Sequence, residues 1–552
     1  MAIHTAIGSY QARPRQPTIK AVRLPAPTSG IDARVAAAQM PPEVCLYSFN
    51  LIGGEYGMKL RNGYREWTTD VESAPAASDG VHTLMAFDSN TGGTTGSRLF
   101  AVTAEGIWDV TDYNSAPTLE ATFTDAQAGA GHGVYCHYVD QAGKDWLMYA
   151  DEINGLWEYD SETGTWAVPT GITGPNIALI AYVVVHKQRM WLVERNSSNA
   201  WYLPVASKTG AATAFYFGAK FQHGGTLRGL YNWTVDGGAG VDDYLVAISG
   251  AGDVIPYRGT DPSDVNTWTS VGTFFVGSVP NGRNFCGEYI GNLFILSSFG
   301  LISMSDLLRG VNITEADYEG SLTYRIAAPI RAAMHLTRTE YGWEPKFLPQ
   351  QGVLIINQPA LVTSYEPKQW VQSLATRSWG EWRGVPVAAM EEWHGSVYIG
   401  GTDNIIRIMD GTRDKVLIDT LNPAHNGYPI KFSLLTSYQD YGEPAQYKMV
   451  QMVRPDFFSQ QKPSYQVKVY YDYELVEFTA GVAPPEVSPE GDEWDSSLWD
   501  AAIWNVGTAS GKSGITGELG MGRTIAIAMQ GESDEDLRLL SFDVMWKTGG
   551  MV

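Results

Sequence analysis

The chain has 552 residues, of which 44% are hydrophobic and 18% charged, and no apolar run approaches the roughly 20 residues that a membrane-spanning helix needs. Acidic residues outnumber basic ones by 60 to 38, a formal net charge of -22, which argues against wrapping DNA or lying on an anionic membrane through basic contacts. The 59 Gly, with 18 Trp, 29 Tyr and 18 Phe, predict many short strands and tight turns and argue against a helical bundle.

Residues 1–40 are rich in Pro, Ala, Thr and Gly, a composition that buries too little apolar surface to fold alone. We predict an extended basic N-terminal arm, with two interpretations left open: a disordered tail, or an arm that becomes ordered on an acidic neighbouring subunit. Its single acid is Asp32. The candidate subunit-docking residues are its five cations, Arg13, Arg15, Lys20, Arg23 and Arg34.

Between residues 41 and 426 a short apolar strand, a polar turn and a second strand follow one another repeatedly. These hairpins begin near residues 98, 146, 190, 244, 293, 353 and 397. A period of about 50 residues that holds hairpins is typical of β-propeller blades, which bury their faces only against neighbouring blades. We therefore predict an all-β fold with a closed β-propeller over 41–426. Six blades are favoured and seven are allowed, because one hairpin could be an insertion and a strand near 45–51 could complete a blade.

Two segments, 159–166 and 374–382, resemble the turn between the outer strands of Kelch-type blades. In such turns a Thr or Ser hydroxyl caps the turn and a Trp packs between adjacent blades. Trp166, Trp379 and Trp382 are therefore predicted to be structural rather than ligand-binding.

One helix is predicted within the propeller region, over 324–336. The warrant is the helical spacing of Ile326, Ile330, Ala333 and Leu336, which persists despite Pro329. Its expected role is packing.

Residues 427–552 form a predicted C-terminal β domain, because longer alternating strands replace the short hairpins. The strands are predicted at 430–437, 447–455, 465–477, 523–530 and 537–546. A β-sandwich fits them best. An acidic, Pro-rich loop at 484–504 carries Trp494, Trp499 and Trp504. If exposed, these indoles would be an interaction strip; we favour the alternative, in which they are buried and pin the loop to the sandwich.

The motifs that usually carry chemistry are weak in this chain. The segment 507–513 is like a phosphate-binding loop, but it is one residue short and lacks a strand-to-helix context. Asp261, Ser263 and Asp264 form an acidic turn whose side chains are expected to bond their own backbone rather than calcium. We predict no catalytic residue and no cofactor.

Cysteine and histidine usage does not predict a metal site. Cys45, Cys136 and Cys286 are too widely spaced for a disulfide framework or a paired-cysteine zinc site. His132 and His137 flank Cys136, but strand alternation would point Cys136 and His137 to opposite faces. Residues 1–10 also lack the pattern of a secretory signal, so synthesis in a reducing cytosol is expected.

The segment 41–67 carries a resemblance to a known family. A strand at 44–52 is followed by Arg61-Asn62-Gly63-Tyr64, and the segment resembles the opening of phage tail nozzle proteins, which include the packaged-DNA stabilisation proteins of short-tailed phages. In that family a strand that brings the chain into the propeller precedes an Arg-x-Gly-Tyr or similar turn. The later order is similar too: a mid-chain strand at 187–192, the segment 300–310 before the helix, the segment 364–382, then Gly411 and a terminal β domain.

The resemblance implies a structural virion protein rather than an enzyme. Six copies would form a tube below the head-to-tail adaptor and portal complex, with tail needle, fibre or hub proteins at the distal end. The tube would close the channel after packaging and conduct double-stranded DNA during ejection, so the expected location is the virion tail. An acidic lumen suits this role because carboxylates repel the phosphates of a passing duplex, and the basic arm would grip an acidic ring above.

Two other classes of function stay open. One is a receptor-binding or baseplate β-propeller, and the other is a propeller glycosidase whose carboxylates converge on the axis. Against the glycosidase, the chain is poor in basic residues where strands begin. Oligomeric state separates the three classes, since a six-fold ring, a trimer and a monomer are the respective expectations.

Overall fold

A computed structural model describes residues 19–71, 80–89, 96–236, 241–311, 319–359, 368–418, 426–461, 463–474, 515–516 and 519–551. These residues fold almost entirely into β-strands, as the sequence predicts. The helices are Met304–Leu308 and Ala327–Thr337, with the 3-10 turns Ala37–Gln39, Ile177–Leu179, Gly218–Lys220 and Tyr324–Ile326. In the part of the chain that is described, none of the helices has the length and apolar character needed to cross a membrane.

Six small antiparallel sheets and the first four strands of a 10-stranded sheet form the seven blades of a β-propeller. Blade 1 contains Thr83–Phe87, Arg98–Val102, Gly106–Asp109 and Thr118–Thr122, and blade 2 contains Gly133–Val139, Asp145–Asp151, Gly155–Asp160 and Thr165–Ala167. Blade 3 contains Ile180–His186, Arg189–Glu194, Asn199–Tyr202 and Thr213–Tyr216, and blade 4 contains Leu227–Asp236, Val241–Ser249, Asp253–Arg258, Thr269–Ser270 and Phe274–Phe275. Blade 5 contains Cys286–Tyr289, Asn292–Ser297 and Gly300–Ser303, and blade 6 contains Glu344–Leu348, Val353–Gln358, Lys368–Ser373 and Trp379–Arg383. Blade 7 contains Val387–Trp393, Ser396–Gly401, Ile406–Ile408 and Arg65–Thr68. A short parallel pair, Ile172–Thr173 with Gly210–Ala211, lies outside the blades.

The blades close into a ring. Neighbouring blades are in contact from blade 1 through blade 6 and from blade 7 back to blade 1. Blades 6 and 7 share a hydrophobic cluster that includes Ile355 and Ile399. The ring has seven blades, which is the allowed number rather than the favoured one. Each predicted hairpin is the second and third strand of one blade, and these are the most apolar strands because they are covered on both faces; every residue of Asp145–Asp151 is buried.

Blade 7 is completed by the strand Arg65–Thr68, which comes from the N-terminal side of the ring and pairs antiparallel with Ile406–Ile408. The first and last strands of the propeller therefore lie side by side and hold the ring closed. The predicted alternative, in which the strand near 45–51 completes a blade, is wrong. Val44–Phe49 instead pairs with Tyr428–Thr436, a strand of the C-terminal domain, so the propeller starts later than residue 41.

Blade 5 has three strands, and a helical segment follows where the other blades have an outer strand. The helix Ala327–Thr337, with the 3-10 turn before it, confirms the predicted helix. Pro329 is tolerated because it lies in the first turn, where a backbone N–H has no helical partner. The buried face includes Ile330 and Met334, whereas Leu336 is 65% exposed and does not belong to it.

The C-terminal domain is a β-sandwich, as predicted, but both ends of the chain build it. One sheet contains Gly30–Ile31, Val44–Phe49, Tyr428–Thr436, Ile525–Ser533 and Ser464–Tyr471, with Arg413–Asp414 beside Tyr428–Thr436. The other contains Ile19–Pro25, Arg538–Met551, Gln446–Phe458, Gly57–Leu60 and Leu51–Gly54, with Ile515–Thr516 and Met521–Gly522 beside Gln446–Phe458. Phe432 and Met529 of the first sheet and Val453 and Phe542 of the second share one core. The propeller is thus inserted into the sandwich.

The predicted arm over 1–40 is wrong for the residues that are described. Ile19–Pro25 forms a full antiparallel ladder with Arg538–Met551, from Ile19 opposite Lys547 to Pro25 opposite Ser541. Gly30–Ile31 pairs parallel with Val44–Phe49 in the other sheet. The two short segments therefore belong to the sandwich and are not a free extension. Arg13 and Arg15 lie outside the described residues.

Blade 6 and the sandwich form one continuous sheet. The last strand of the blade, Trp379–Arg383, pairs with Gly30–Ile31 and meets Val44–Phe49, which leads into the sandwich strands. Thr376 and Ser378 both donate hydroxyl hydrogen bonds to the carbonyl of Gly53, at 2.7 and 2.9 Å. The propeller and the sandwich are therefore joined by backbone pairing and not by a flexible linker.

The Trp residues predicted to be structural are buried. Trp166 packs against Phe100 of blade 1, with ring centroids 5.3 Å apart, so it lies between adjacent blades as predicted. Trp379 and Trp382 are also buried. In the 159–166 turn the cap is the carboxylate of Asp160, which accepts from the backbone N–H of Glu162 at 2.9 Å, rather than a hydroxyl. The loop 484–504, with Trp494, Trp499 and Trp504, lies outside the described residues.

Candidate functional site

The neck between the two domains is the segment 61–64 together with 411–414, where the chain enters and leaves the propeller. Arg61 is its centre: the guanidinium donates to both carboxylate oxygens of Asp414, at 2.7 and 2.6 Å, and its side chain is only 1% exposed. Its Nε donates to Oδ1 of Asn50 at 3.0 Å, and its remaining bonds go to backbone carbonyls of Asn62 and Arg383. The ion pair is bidentate and buried, so it fixes the two strands relative to each other.

Backbone contacts complete the neck. The N–H of Gly63 donates to the carbonyl of Gly411 at 2.8 Å, and that of Tyr64 donates to Arg413 at 3.0 Å. A Cβ on Gly63 would lie 2.0 Å from the Arg413 carbonyl oxygen, so only glycine fits there. The buried Tyr64 donates its hydroxyl to the carbonyl of Gly384 at 3.1 Å. The Arg-Asn-Gly-Tyr turn that carries the family resemblance is therefore the junction of the two domains.

The three described cations of the predicted docking arm form ion pairs with carboxylates of the same chain. Arg23 donates to Asp543 at 2.8 Å, Arg34 pairs with Asp32 at 2.9 Å, and Lys20 pairs with Glu443. Asp543 holds the pKa of Arg23 above its ordinary value and Arg23 in turn lowers that of Asp543. These ion pairs strengthen the edge of the sandwich, and docking to another subunit stays a prediction.

A cavity of about 400 Å³ runs along the propeller axis. Its wall is made by the first strands of all seven blades, each contributing side chains that point inward. These positions are hard to recognise in the sequence as one site. Glu, Lys, Tyr, Asn and Cys occur there among apolar residues and do not form a motif. Only ring closure brings them together.

A hydrogen-bonded triad crosses the cavity. Glu391 of blade 7 accepts from Nζ of Lys346 in blade 6 at 2.9 Å and from the hydroxyl of Tyr135 in blade 2 at 2.8 Å. Burial opposes the charge on Lys346, but Glu391 and then Glu344 raise its pKa above the ordinary value. Burial, followed by the charge of Glu391, raises the pKa of Tyr135. The triad is thus a carboxylate that accepts hydrogen bonds from a cation and from a neutral phenol.

Two further carboxyl groups line the cavity at its two ends. Glu344 also borders a small pocket with His82 and His132, where the first strands of the blades begin. Glu288 also borders a pocket at the turn Tyr289-Ile290-Gly291. Burial raises the pKa of Glu344 from its ordinary 4.5 to about 7, and burial raises that of Glu288 as well.

Stacked rings lie at the end where the first strands begin. His82 stacks on His132 with centroids 4.1 Å apart, and His132 stacks on Tyr341 at 5.4 Å. Burial, and then the neighbouring His82, lowers the pKa of His132, so His132 is neutral near pH 7. Arg283 borders the small pocket that contains Glu344, His82 and His132. Its guanidinium donates a hydrogen bond to Glu152 at 3.0 Å and is therefore already paired.

Two motifs that the sequence analysis set aside, the Cys136–His137 pair and the Asp261 turn, lie among the described residues. Cys136 lines the axial cavity, whereas His137 is exposed and stacks on Phe87, so the two do point to opposite faces. The carboxylate of Asp261 accepts from the backbone N–H of Ser263 at 3.1 Å, as predicted for that turn. Within the described ranges, no group of three His, Cys, Asp or Glu side chains could hold a metal ion. The segment 507–513 lies outside them.

Comparisons with known proteins find only distant structural similarity. No protein-family model and no curated protein matches the chain. The chain is similar to the computationally designed Ika8 protein (9% identity, TM-score 0.32), covering 62% of this chain and 99% of that one. It is similar to the WD40 β-propeller domain of Doa1 (11% identity, TM-score 0.33, 63% and 96% covered). It is also similar to BamB from Moraxella catarrhalis (10% identity, TM-score 0.33, 64% and 97% covered). The fold assignment therefore rests on the seven blades themselves.

Proposed function

We propose that this β-propeller protein is the tail nozzle of a short-tailed bacteriophage, a structural virion protein of which six copies form a ring around a DNA channel. The ring would close the channel after packaging and conduct genomic DNA during ejection. The observation that supports the proposal most is the neck, because Arg61, Gly63 and Asp414 join the propeller to the sandwich without a hinge.

A nozzle has to keep its shape against the pressure of packaged DNA. Two domains that share one continuous sheet and a buried ion pair resist rotation about their junction, since any rotation breaks backbone pairing. A protein that closes around a substrate needs the opposite arrangement, with a few residues that absorb backbone rotation. The rigid junction therefore favours a structural role over that of an enzyme with moving domains.

The charge of the chain supports a conduit for DNA. The net charge is -22, and described cations such as Arg23, Lys208 and Arg407 are paired with carboxylates of the same chain. Cations paired in this way are not free to bind phosphates, and each phosphate contact would add affinity that has to be broken as the duplex slides. The axial cavity of about 400 Å³ is far too small for a duplex, so the DNA path in this proposal is the lumen between copies.

The proposed partners follow from the same role. The head-to-tail adaptor and portal complex would lie above the ring, and needle, fibre or hub proteins would lie at its distal end. Arg13 and Arg15 lie outside the described residues, and they remain the proposed contacts to an acidic ring above. The proposed location is the virion tail.

One observation supports a second candidate function, a propeller glycosidase. Glu344, whose pKa burial raises to about 7, and Glu391, which pairs with Lys346, both line the axial cavity. Glycoside hydrolysis uses two carboxyl groups, one of them with a raised pKa. Turnover of chromogenic glycosides by the purified chain would favour this candidate. Loss of that turnover in E344Q, with the variant still folded, would assign it to the cavity.

Mass photometry and negative-stain electron microscopy of the full chain test the proposal. A hexamer of the 60.4 kDa chain would have a mass of about 360 kDa and show a six-fold ring with a central opening. A trimer would contradict the nozzle and favour a receptor-binding or baseplate propeller, and a monomer at micromolar concentration would also contradict it.

A further inference from the structure

Two carboxyl groups at the axial cavity have no hydrogen-bond or ion-pair partner among the described residues. Glu344 and Glu288 both line the cavity, and each lies at a different end of it. Glu391, by contrast, is fully engaged by Lys346 and Tyr135. Glu344 is partly buried and Glu288 is exposed. A carboxylate that faces a cavity without a bonded partner can accept charge-assisted hydrogen bonds from a ligand, so the two groups point to a cationic ligand that supplies the partner.

We propose that the axial cavity binds a small organic dication, a linear aliphatic diamine, with one ammonium group at Glu344 and the other at Glu288. The site lies within a single chain and does not depend on the proposed ring assembly. The hydrocarbon part of the ligand would lie against Tyr182, Tyr231 and Phe347, which line the same cavity and offer aromatic surfaces to the ligand.

The size and composition of the cavity select this class of ligand. A volume of about 400 Å³ falls within the range of about 300 to 1,000 Å³ that small-molecule sites occupy and is too large for a bare ion. The described residues provide no three-ligand metal site. An anion would lack a free cation, because Lys346 is committed to Glu391 and Arg283 to Glu152.

Binding at this site should be coupled to proton release. Glu344 holds its proton up to about pH 7 because it is buried, and an ammonium group beside it would stabilise the ionised form. Lys346, Glu391 and Tyr135 are the charged or titratable groups that interact with Glu344. His82, His132 and Arg283 border the small pocket at the same end of the cavity. Affinity should therefore rise as the pH increases from about 5 to 7 and then level off while both amines stay protonated.

Isothermal titration calorimetry of the full chain with 1,4-diaminobutane tests the proposal. We expect saturable binding that is weaker at pH 5.5 than at pH 7.5, with proton release below pH 7 that is revealed by buffers of different ionisation enthalpy. E344Q and E288Q should each weaken binding by about tenfold or more, because each removes one charge-assisted hydrogen bond. The neutral isostere 1,4-butanediol should not bind.

The matched control is E43Q, because Glu43 is exposed on the sandwich and its loss should leave the affinity unchanged. Absence of binding by the wild-type chain at millimolar diamine, or equal affinity in wild type, E344Q and E288Q, would overturn the proposal. Tighter binding of calcium or magnesium than of the diamine would also overturn it. E344Q is expected to fold because it replaces a buried acid with a neutral isostere, and E288Q provides an independent variant at the more exposed end.

Discussion

The buried ion pair of the neck makes the most demanding prediction about how the two domains are held together. Replacing Arg61 with Met keeps the aliphatic stem but removes all the hydrogen bonds of the guanidinium, including the two to Asp414 at 2.7 and 2.6 Å. Asp414, whose side chain is 14% exposed, is then left as a largely buried carboxylate without its cation. Breaking a buried pair in this way costs about 3–5 kcal/mol of folding free energy.

A neighbouring pair provides the control. Arg65 donates to Asp410 at 3.1 Å, but their side chains are 34% and 60% exposed, so R65M should cost no more than about 1 kcal/mol because solvent screens such pairs. The two substitutions are chemically identical and lie four residues apart. They differ in the burial of the pair, which is the property under test.

Urea unfolding followed by tryptophan fluorescence measures both effects, with D414N and the double variant R61M/D414N completing a cycle. We expect R61M to lower the free energy of unfolding by several times the loss in R65M, and the double variant to lose less than the sum of the single ones. Limited proteolysis should show new cleavage near the neck in R61M. A loss within about 1 kcal/mol for R61M, or strictly additive single variants, would refute the argument that this pair locks the domains.

Four other predictions follow from the described contacts. Gly63→Ala should destabilise the chain by about 1–3 kcal/mol through overpacking, whereas Gly54→Ala, whose Cβ would meet its nearest atom at 3.4 Å, should be nearly neutral in the same urea assay. Trp166→Ala should cost about 3–5 kcal/mol by leaving a cavity between blades, while Val168→Ala, at a position 48% exposed, should change little; a similar loss in both would contradict the interblade role. The raised pKa of Glu344 means that its stabilising contribution is largest below pH 4.5 and falls as the pH rises to about 7, so E344Q should gain stability over wild type across that window, reaching about 3 kcal/mol by pH 8; a pH-independent difference would contradict the assignment. Fluorescence anisotropy with a 20-base-pair duplex should detect no binding at 50 mM salt, and micromolar affinity there would contradict an acidic conduit.

The sequence predicts the middle strands of the blades well and the inner strands poorly. Strands such as Arg98–Val102 and Gly106–Asp109 carry continuous apolar residues between turn signals, since neighbouring blades cover both of their faces. The inner strand Glu344–Leu348 begins Glu-Pro-Lys, which does not suggest a strand. It forms one because Glu344 and Lys346 face the axial cavity while Leu348 packs in the core shared with blade 7. The axial site is missed for the same reason.

The place of the N-terminal segment could not be predicted from local pattern. Ile19–Pro25 reads as a basic tail because Lys20 and Arg23 interrupt its apolar residues. Its partner strand, Arg538–Met551, lies at the far end of the chain, and no local signal reports a pairing over that separation. The acids Glu443 and Asp543, which neutralise the two cations, are equally distant in sequence. The pairing of strand Arg65–Thr68 could not be predicted for the same reason. Its partner in blade 7, Ile406–Ile408, lies more than 300 residues later in the sequence.

The central claim is that six copies of this rigid two-domain chain surround a channel that conducts DNA. Cryo-electron microscopy of the full-length protein, purified without its partners, tests it most directly. The account predicts a six-fold ring with a lumen wide enough for a duplex, an acidic or neutral wall, and a propeller and sandwich that keep the same relative orientation in every copy. A monomer or trimer, or a six-fold ring whose lumen is predominantly positive, would contradict it.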